Sequence, residues 1–297
     1  MAFQKITIIG VGLLGGSLGL AVRRRRMAGE IAGFVRRKAS IAECEKSGAT
    51  DFATMDLAAA VSNADLVIFC TPPGRMRPIA QQFAGALKPG AIVTDVGSVK
   101  APVVKELEPL LARAGAHFVG SHPMAGGEKT GIAAAREDLF ENAVCALTPT
   151  SRTNAAALKK TAEFWKSLGS RVLKMSPARH DLFVSRSSHL PHLAAAALAN
   201  VVLNSKQPEI QLLCGNGFRD TTRIASGSSE MWRDIALANR KNLAYAAAAL
   251  IAELEKFRTM LKKADAPAIA EFFETAKSRR DRFINSRRGC SESANPD

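Results

Sequence analysis

Through the first half of the chain, apolar runs of strand length recur: "KITIIG" (5–10), "IAGFV" (31–35), "DLVIFC" (65–70), "AIVTDV" (91–96), "HFVG" (117–120) and "AVCALTP" (143–149). Segments of helical length separate them. Strands alternating with helices predict a parallel sheet joined by crossover helices. Beyond residue 176 the strand signal fades and Ala- and Leu-rich helical segments take over. Ser176 followed by Pro177 reads as the N-cap and first-turn pair of a new helix. Residues 230–262 contain no Gly or Pro, which predicts one helix of about 50 Å. A helix that long needs a large partner. Its "AYAAAALIAEL" core would let a second helix approach closely, so an interface in a homodimer is expected; burial within one subunit is the alternative. The expected fold is α/β: an N-terminal Rossmann-type dinucleotide-binding domain (1–175), an all-α helical dimerisation domain (176–285), and a flexible basic and polar tail (286–297).

Charge changes this picture only a little. The chain of 297 residues carries a net charge of +14, with basic clusters at Arg23–Arg26, Arg36–Lys38 and Lys277–Arg288. Such a balance suits nucleic acid or a small polyanionic ligand. Aromatics are only 6% and no basic groove, zinc-finger spacing or RNP-like segment accompanies them, so no nucleic-acid partner is expected. No apolar run approaches the roughly 20 residues that span a bilayer, so no membrane partner is expected either. The start "MAFQKITIIG" enters a strand at once and leaves no room for a signal peptide. The 5 cysteines are scattered without metal-like spacing, which fits a reducing, cytoplasmic setting.

"ITIIGVGLLGGSLGLAV" places Gly10, Gly12 and Gly15 in a G-x-G-x-x-G pattern directly after a strand and opening a helix. In that context the pattern signals a dinucleotide: a tight turn, a close backbone approach to pyrophosphate, and close helix–strand packing. Leu13 and Leu14 at the start of the helix, and Thr71 and Pro72 after the "DLVIFC" strand, complete the expected cofactor site. About twenty residues beyond the last glycine, an acid would normally hold the ribose 2′-OH of NAD. Val35 stands there, followed by Arg36 and Arg37. Two guanidinium groups suit a 2′-phosphate, so NADP is the expected cofactor, with NAD the lesser expectation; the alternative is that both arginines are merely solvated.

Two segments carry reactive chemistry. "TDVGSVK" leaves Ser98 and Lys100 at the carboxyl edge of the sheet, where open α/β sheets bind ligands. "GSHPMAGGEKTG" sets His122 against Pro123 ahead of a Gly-rich loop containing Glu128, well placed for a general base that takes a proton from an alcohol. In the second half, "SHLPH" spaces His189 and His192 three apart on one helix face, with Pro191 disturbing the helix between them. Metal ligation by this pair is conceivable, but no carboxylate or Cys repeats at ligand spacing, so no metal is expected. Arg219 and Arg223 stand four apart, as two arginines for a dianionic substrate on one helix face, with Trp232 beyond a Gly/Ser turn.

Taken together, "GVGLLGGSL", "DVGSVK", "SHPMAGGEKTG", "HD…SHLPH" and "GFRDTTRIA…MWRDI" resemble the prephenate/arogenate dehydrogenase family of tyrosine biosynthesis, in family order from residue 6 to about 240. The resemblance implies oxidation of the ring C4-hydroxyl of prephenate or arogenate, with hydride passing to a nicotinamide while the ring carboxylate leaves as CO2. It implies that His122 accepts the hydroxyl proton, Ser98 orients hydroxyl and imidazole, and Arg223 pairs with a substrate carboxylate beside His192. His189 and Trp232 complete the pocket. Arg219 stands where some relatives have Lys, and Glu128 matches a loop acid that gates the site in some members. The resemblance further implies a chain without a fused chorismate mutase segment or an ACT-type regulatory domain, so that any tyrosine feedback would act by competition. Two rival readings are a β-hydroxyacid or imine-type NADP-dependent dehydrogenase of the same architecture, and a non-catalytic NADP-sensing protein. The first usually relies on a lysine in its helical domain; the second has no need of His122, Ser98 and Arg223.

Overall fold

A computed structural model describes residues 2–127, 129–204, 207 and 209–292, the last six of these by backbone alone. The expected alternation is present. Strands β1 (Phe3–Ile9), β2 (Ala28–Phe34), β3 (Phe52–Thr54), β4 (Leu66–Phe69), β5 (Ile92–Asp95) and β6 (His117–Val119) are joined by α1 (Leu13–Arg24), α2 (Ala39–Lys46), α3 (Leu57–Val61), α4 (Pro73–Phe83) and α5 (Ala101–Arg113). They form one parallel sheet in the order β3-β2-β1-β4-β5-β6. The order reverses beside β1, which opens a crevice at the carboxyl ends of β1 and β4.

Side-chain alternation along each strand builds two cores. Ile6, Ile8, Leu66 and Ile68 face one side, with Leu18 and Val22 of α1. Ile9, Val67, Phe69 and Val93 face the other, with Phe83 and Leu107 from α4 and α5. Both faces are covered, which is why these strands read as near-continuous apolar runs.

Three strands escape the apolar pattern: β3, β7 (Ser121–Pro123) and β9 (Arg171–Lys174). β3 and β7 are only three residues long, and β9 is largely exposed. β7, β8 (Val144–Leu147) and β9 make a second sheet, β7 antiparallel and β9 parallel to β8. His122, expected just beyond a strand end, is itself a strand residue opposite Ala146. α6 (Ala155–Ser167) supports this sheet through Trp165, which is fully buried, packs edge-on against Phe140 and Phe164, and donates from Nε1 to Ser121 Oγ at 3.1 Å.

The helical half follows: α7 (Pro177–Val184), a π-turn (Ser185–His189), α8 (Leu190–Leu203), α9 (Glu209–Leu212), α10 (Asn216–Thr222), a 3-10 turn (Arg223–Ser226), α11 (Ser229–Ala238), α12 (Arg240–Lys262) and α13 (Ala266–Glu292). Ser176 caps α7 as expected, accepting from Arg179 N, with Pro177 in the first turn. The single helix expected over 230–262 is instead two. Asn239 leaves helical geometry (φ −111, ψ 24) because its side chain turns inward, where Nδ2 donates to the Asp181 carbonyl at 2.8 Å.

The chain divides into two compact units, residues 1–243 and 244–297. Residues on both sides of position 176 belong to the first, where Asp181 of α7 binds the start of α5. In the second unit Phe257 of α12 packs on Phe272 and Phe273 of α13, with ring centroids 5.0 and 5.5 Å apart. Of the expected flexible tail, residues 286–292 continue α13 and the rest lies outside the described residues. Among the described residues no helix is long and apolar enough to cross a membrane.

Trp165→Ala removes a buried aromatic and the donor under β7. It should cost about 3–5 kcal/mol and lower the thermal midpoint by roughly 6–20 °C, read by scanning calorimetry.

Candidate active site

The glycine turn is built as a cradle. Gly10 adopts φ +95, a conformation that side-chain-bearing residues rarely reach. A Cβ on Gly15 would stand 2.2 Å from the Gly10 carbonyl, whereas one on Gly12 would meet nothing within 4 Å. Gly12 is the N-cap of α1, and this N-terminus has no side-chain cap, so its N–H groups are available to an anion. Leu13 and Leu14 are half-buried there. Thr71 packs against Gly10, and its buried Oγ1 has no hydrogen-bond partner among the described residues; Pro72 follows, exposed, ahead of α4. A dinucleotide fits this turn: an uncapped helix, a bare glycine face and an orphaned hydroxyl converge on it. Beyond β2, Val35 is buried, while Arg36 and Arg37 are exposed.

Across the carboxyl edge lies a polar cluster closed off from solvent. Lys100 is fully buried and its ammonium contacts the Asp95 carboxylate, also fully buried, and the Ser121 carbonyl at 2.8 Å. Asp95 also accepts from Gly97 N at 2.9 Å and Ser121 N at 3.1 Å. Burial pushes the Asp95 carboxyl up and the Lys100 ammonium down, and their contact opposes both shifts. Lys100 thus serves the interior, while Ser98 remains half-buried at the edge.

His122 is 7% exposed, and its Nδ1 lies 2.9 Å from His180 Nε2. Burial, reinforced by His180, Lys100 and His189, holds the imidazole well below its ordinary value, so at neutral pH it is an uncharged base. His189, on the π-turn, is pushed down to about 4, chiefly by burial. Its Nδ1 lies 3.2 Å from the Asn239 amide nitrogen, which leaves the ring proton on Nε2, and the Ser98 backbone lies beside the ring. His192 stacks on Trp232 with centroids 3.7 Å apart, and His189 meets the same indole edge-on at 6.1 Å. Trp232 Nε1 is buried without a hydrogen-bond partner among the described residues.

The cluster thus brings together Ser98, His122, His189, His192 and Trp232. Arg219 and Arg223 are exposed on the segment packed beside α8. They do not share a regular α-helical face, because α10 ends at Thr222 and Arg223 opens the 3-10 turn. Thr221 and Thr222 each hydrogen-bond the carbonyl four residues back, a habit that bends helices. Glu128 lies outside the described residues.

Comparison with known proteins gives this arrangement a family. The profile "Prephenate dehydrogenase, nucleotide-binding domain" matches residues 18–174, and "Prephenate dehydrogenase, dimerization domain" matches 176–275. The chain belongs to the prephenate dehydrogenase family. It is 36% identical to the prephenate dehydrogenase of Bacillus subtilis over 93% of this chain and 75% of that one. With the cyclohexadienyl dehydrogenase of Zymomonas mobilis it shares 34% identity over 94% and 95% of the two chains. The crystal structure of A. aeolicus prephenate dehydrogenase, in complex with hydroxyphenyl propionate and NAD+, superposes with a TM-score of 0.89 at 33% identity, covering 95% of this chain and 99% of that one. As a member of this family the protein is an oxidoreductase with a nicotinamide dinucleotide cofactor.

Sequence reading missed four residues of the cluster, among them Asp95, which ends β5 inside an apolar run. His180 and Asp181 were visible only as the "HD" of a family motif, and Asn239 was hidden inside a helical run. The adjacency of an imidazole and a carboxylate just inside a capped helix is the signal that could have found His180 and Asp181.

Protonation of His189 is resisted in the folded state, so the unfolded chain takes up that proton first. Its contribution to stability is complete above pH 6.5 and is lost as pH falls toward about 4. Thermal midpoints measured across that window should fall, with a shallower slope in His189→Asn. Because His122 stays uncharged, kcat/KM should remain level as pH falls through 6.5 and decline only below it.

Proposed function

We propose that the protein catalyses oxidative decarboxylation of prephenate, arogenate or both, with NADP+ as the hydride acceptor, and that it works as a homodimer. The observation that carries this reading is the buried, uncharged His122 at the carboxyl edge of the sheet, flanked by Ser98, His189, His192 and Trp232. The bound cofactor supplies a nicotinamide ring that accepts hydride from carbon. His122 takes the proton from the hydroxyl of that same carbon, and Ser98 orients hydroxyl and imidazole. Arg223, with Arg219 nearby, pairs with the substrate's side-chain carboxylate, and His192 on the Trp232 face lines the pocket. Tight pairing to the departing carboxylate would stabilise the ground state, so the strongest contact belongs on the carboxylate that stays. The Lys100 ammonium does not serve substrate in this reading, since Asp95 and the Ser121 carbonyl occupy it.

Residues 1–175 are read as the cofactor-binding part and 176–285 as the substrate and dimerisation part. Exposed Leu198, Val201 and Leu203 on α8, and Leu212 and Leu213 at the end of α9, favour an apolar partner such as a second copy. Preference for NADP+ is supported by Val35, which offers no acceptor to a ribose hydroxyl, and by Arg36 and Arg37, which stand exposed at the end of β2.

Initial rates with prephenate or arogenate and each nicotinamide test the proposal directly. NADP+ is expected to exceed NAD+ by tenfold or more in kcat/KM, and Arg36→Ala with Arg37→Ala should erase most of that gap while sparing the NAD+ rate; a tenfold preference for NAD+ would overturn the cofactor assignment. His122→Asn should lower kcat by about two to four decades, the usual worth of a general base. Arg223→Ala should raise KM or lower kcat, and near-unchanged kinetics would remove it from the pocket.

A further inference from the structure

Behind His122 runs a chain of buried hydrogen bonds that has one consistent direction when His180 is uncharged. Asp181 accepts the backbone N–H groups of Lys100 at 2.7 Å and Ala101 at 2.8 Å. Both are obligate donors, which fixes the side chain as a carboxylate acceptor. Its Oδ1 also lies 2.8 Å from His180 Nδ1, so that nitrogen must carry a proton. In an uncharged His180 the remaining nitrogen, Nε2, then holds only a lone pair. That lone pair is 2.9 Å from His122 Nδ1, which must therefore be the donor. The proton of the uncharged His122 ring is held on Nδ1, and the lone pair is left on Nε2. His180 is 1% and Asp181 2% exposed, so bulk water does not compete for these bonds. Charged and titratable groups face His122 from α5 (Lys100), α7 (His180) and the π-turn (His189). Of these, His180 is the one in hydrogen-bond contact.

We propose that His180 and Asp181 are positioning residues for His122: they fix its tautomer so that an unprotonated Nε2 faces the substrate hydroxyl, and they stabilise the imidazolium once Nε2 has taken the proton. The step balances simply. The hydroxyl O–H breaks, an Nε2–H bond forms, and the positive charge is delocalised onto an Nδ1–H that already points at His180, with Asp181 behind it. An orienting carboxylate is a recurrent partner of catalytic imidazoles, acting on tautomer and orientation rather than as a proton acceptor. Here a second imidazole is interposed. The assignment rests on the dehydrogenase reading of His122 as base.

His180 is the better probe, because Asp181 also holds the N-terminus of α5 and its loss would disturb the fold. The full chain is labelled with nitrogen-15 and the His122 resonances are identified by their loss in His122→Asn. Wild type is expected to show the Nδ1–H tautomer at His122 above pH 7. His180→Leu, which has no acceptor, should show Nε2–H and lose 10- to 100-fold in kcat with KM within threefold. His180→Gln, whose Oε1 can accept from Nδ1, should recover most of that loss. A wild-type His122 carrying its proton on Nε2 overturns the proposal, as does a folded His180→Leu retaining kcat within twofold. Should His180→Leu not fold, the wild-type spectrum and the Gln variant decide alone. Should the wild type turn over neither cyclohexadienyl substrate, the functional reading fails, while the tautomer still tests the relay.

Discussion

One carboxylate organises the site. Asp181 receives two backbone donors from the start of α5 and a third from His180 beside it. Because the Lys100 backbone is held there, its side chain runs inward to Asp95 and the Ser121 carbonyl. Asp95 in turn accepts the Ser121 amide, which sets β7, and β7 carries His122 back to His180. The bonds close into a ring that passes through the parallel sheet, the second sheet and the first helix of the helical half. Such buried networks are rigid when every member is satisfied and costly when one is not. This ring explains why residues on either side of position 176 pack as a single compact unit.

The same ring determines how the histidines behave. Asp95 is committed to Lys100 and two backbone amides, and Asp181 to two backbone amides and His180. His122 therefore sits in a dry environment with a cation nearby and no carboxylate in direct contact, a combination that disfavours an imidazolium. His189 is likewise pushed down by burial, with Asp181 opposing. Both rings remain uncharged, yet they have opposite uses: His122 presents a lone pair and His189 an N–H, because one donates from Nδ1 and the other accepts there.

Where burial was continuous, the sequence spoke plainly: the runs around Ile6, Val67 and Val93 are apolar because both faces of their sheet are covered. β3 and β7 were silent because three residues give no period and, unlike the equally short β6, neither was marked by an apolar run of strand length. The break at Asn239 was silent for a different reason, since nothing local forbids a helix there and only the distant Asp181 carbonyl draws the side chain inward. Among the site residues, the glycine turn and the edge positions of Ser98 and His122 were legible from local grammar. The pairing of His192 with Trp232 was legible only as a family motif, because the contact joins residues forty apart. Arg219 and Arg223 had the spacing of a shared helical face but not the helix, since α10 ends between them at Thr222 and Arg223 opens a 3-10 turn.

The π-turn at Ser185–His189 has one further consequence. A turn of this kind amounts to one extra residue lodged in an otherwise regular helix. Each residue advances a helix by about 100°, so everything after the turn is rotated relative to what an unbroken helix would give. The stacking of His192 on Trp232 depends on that rotation as much as on the identity of either ring. At this point chain length is itself the conserved quantity to look for: relatives could exchange side chains through the turn, but a single deletion would swing an intact "LPH" segment away from its indole.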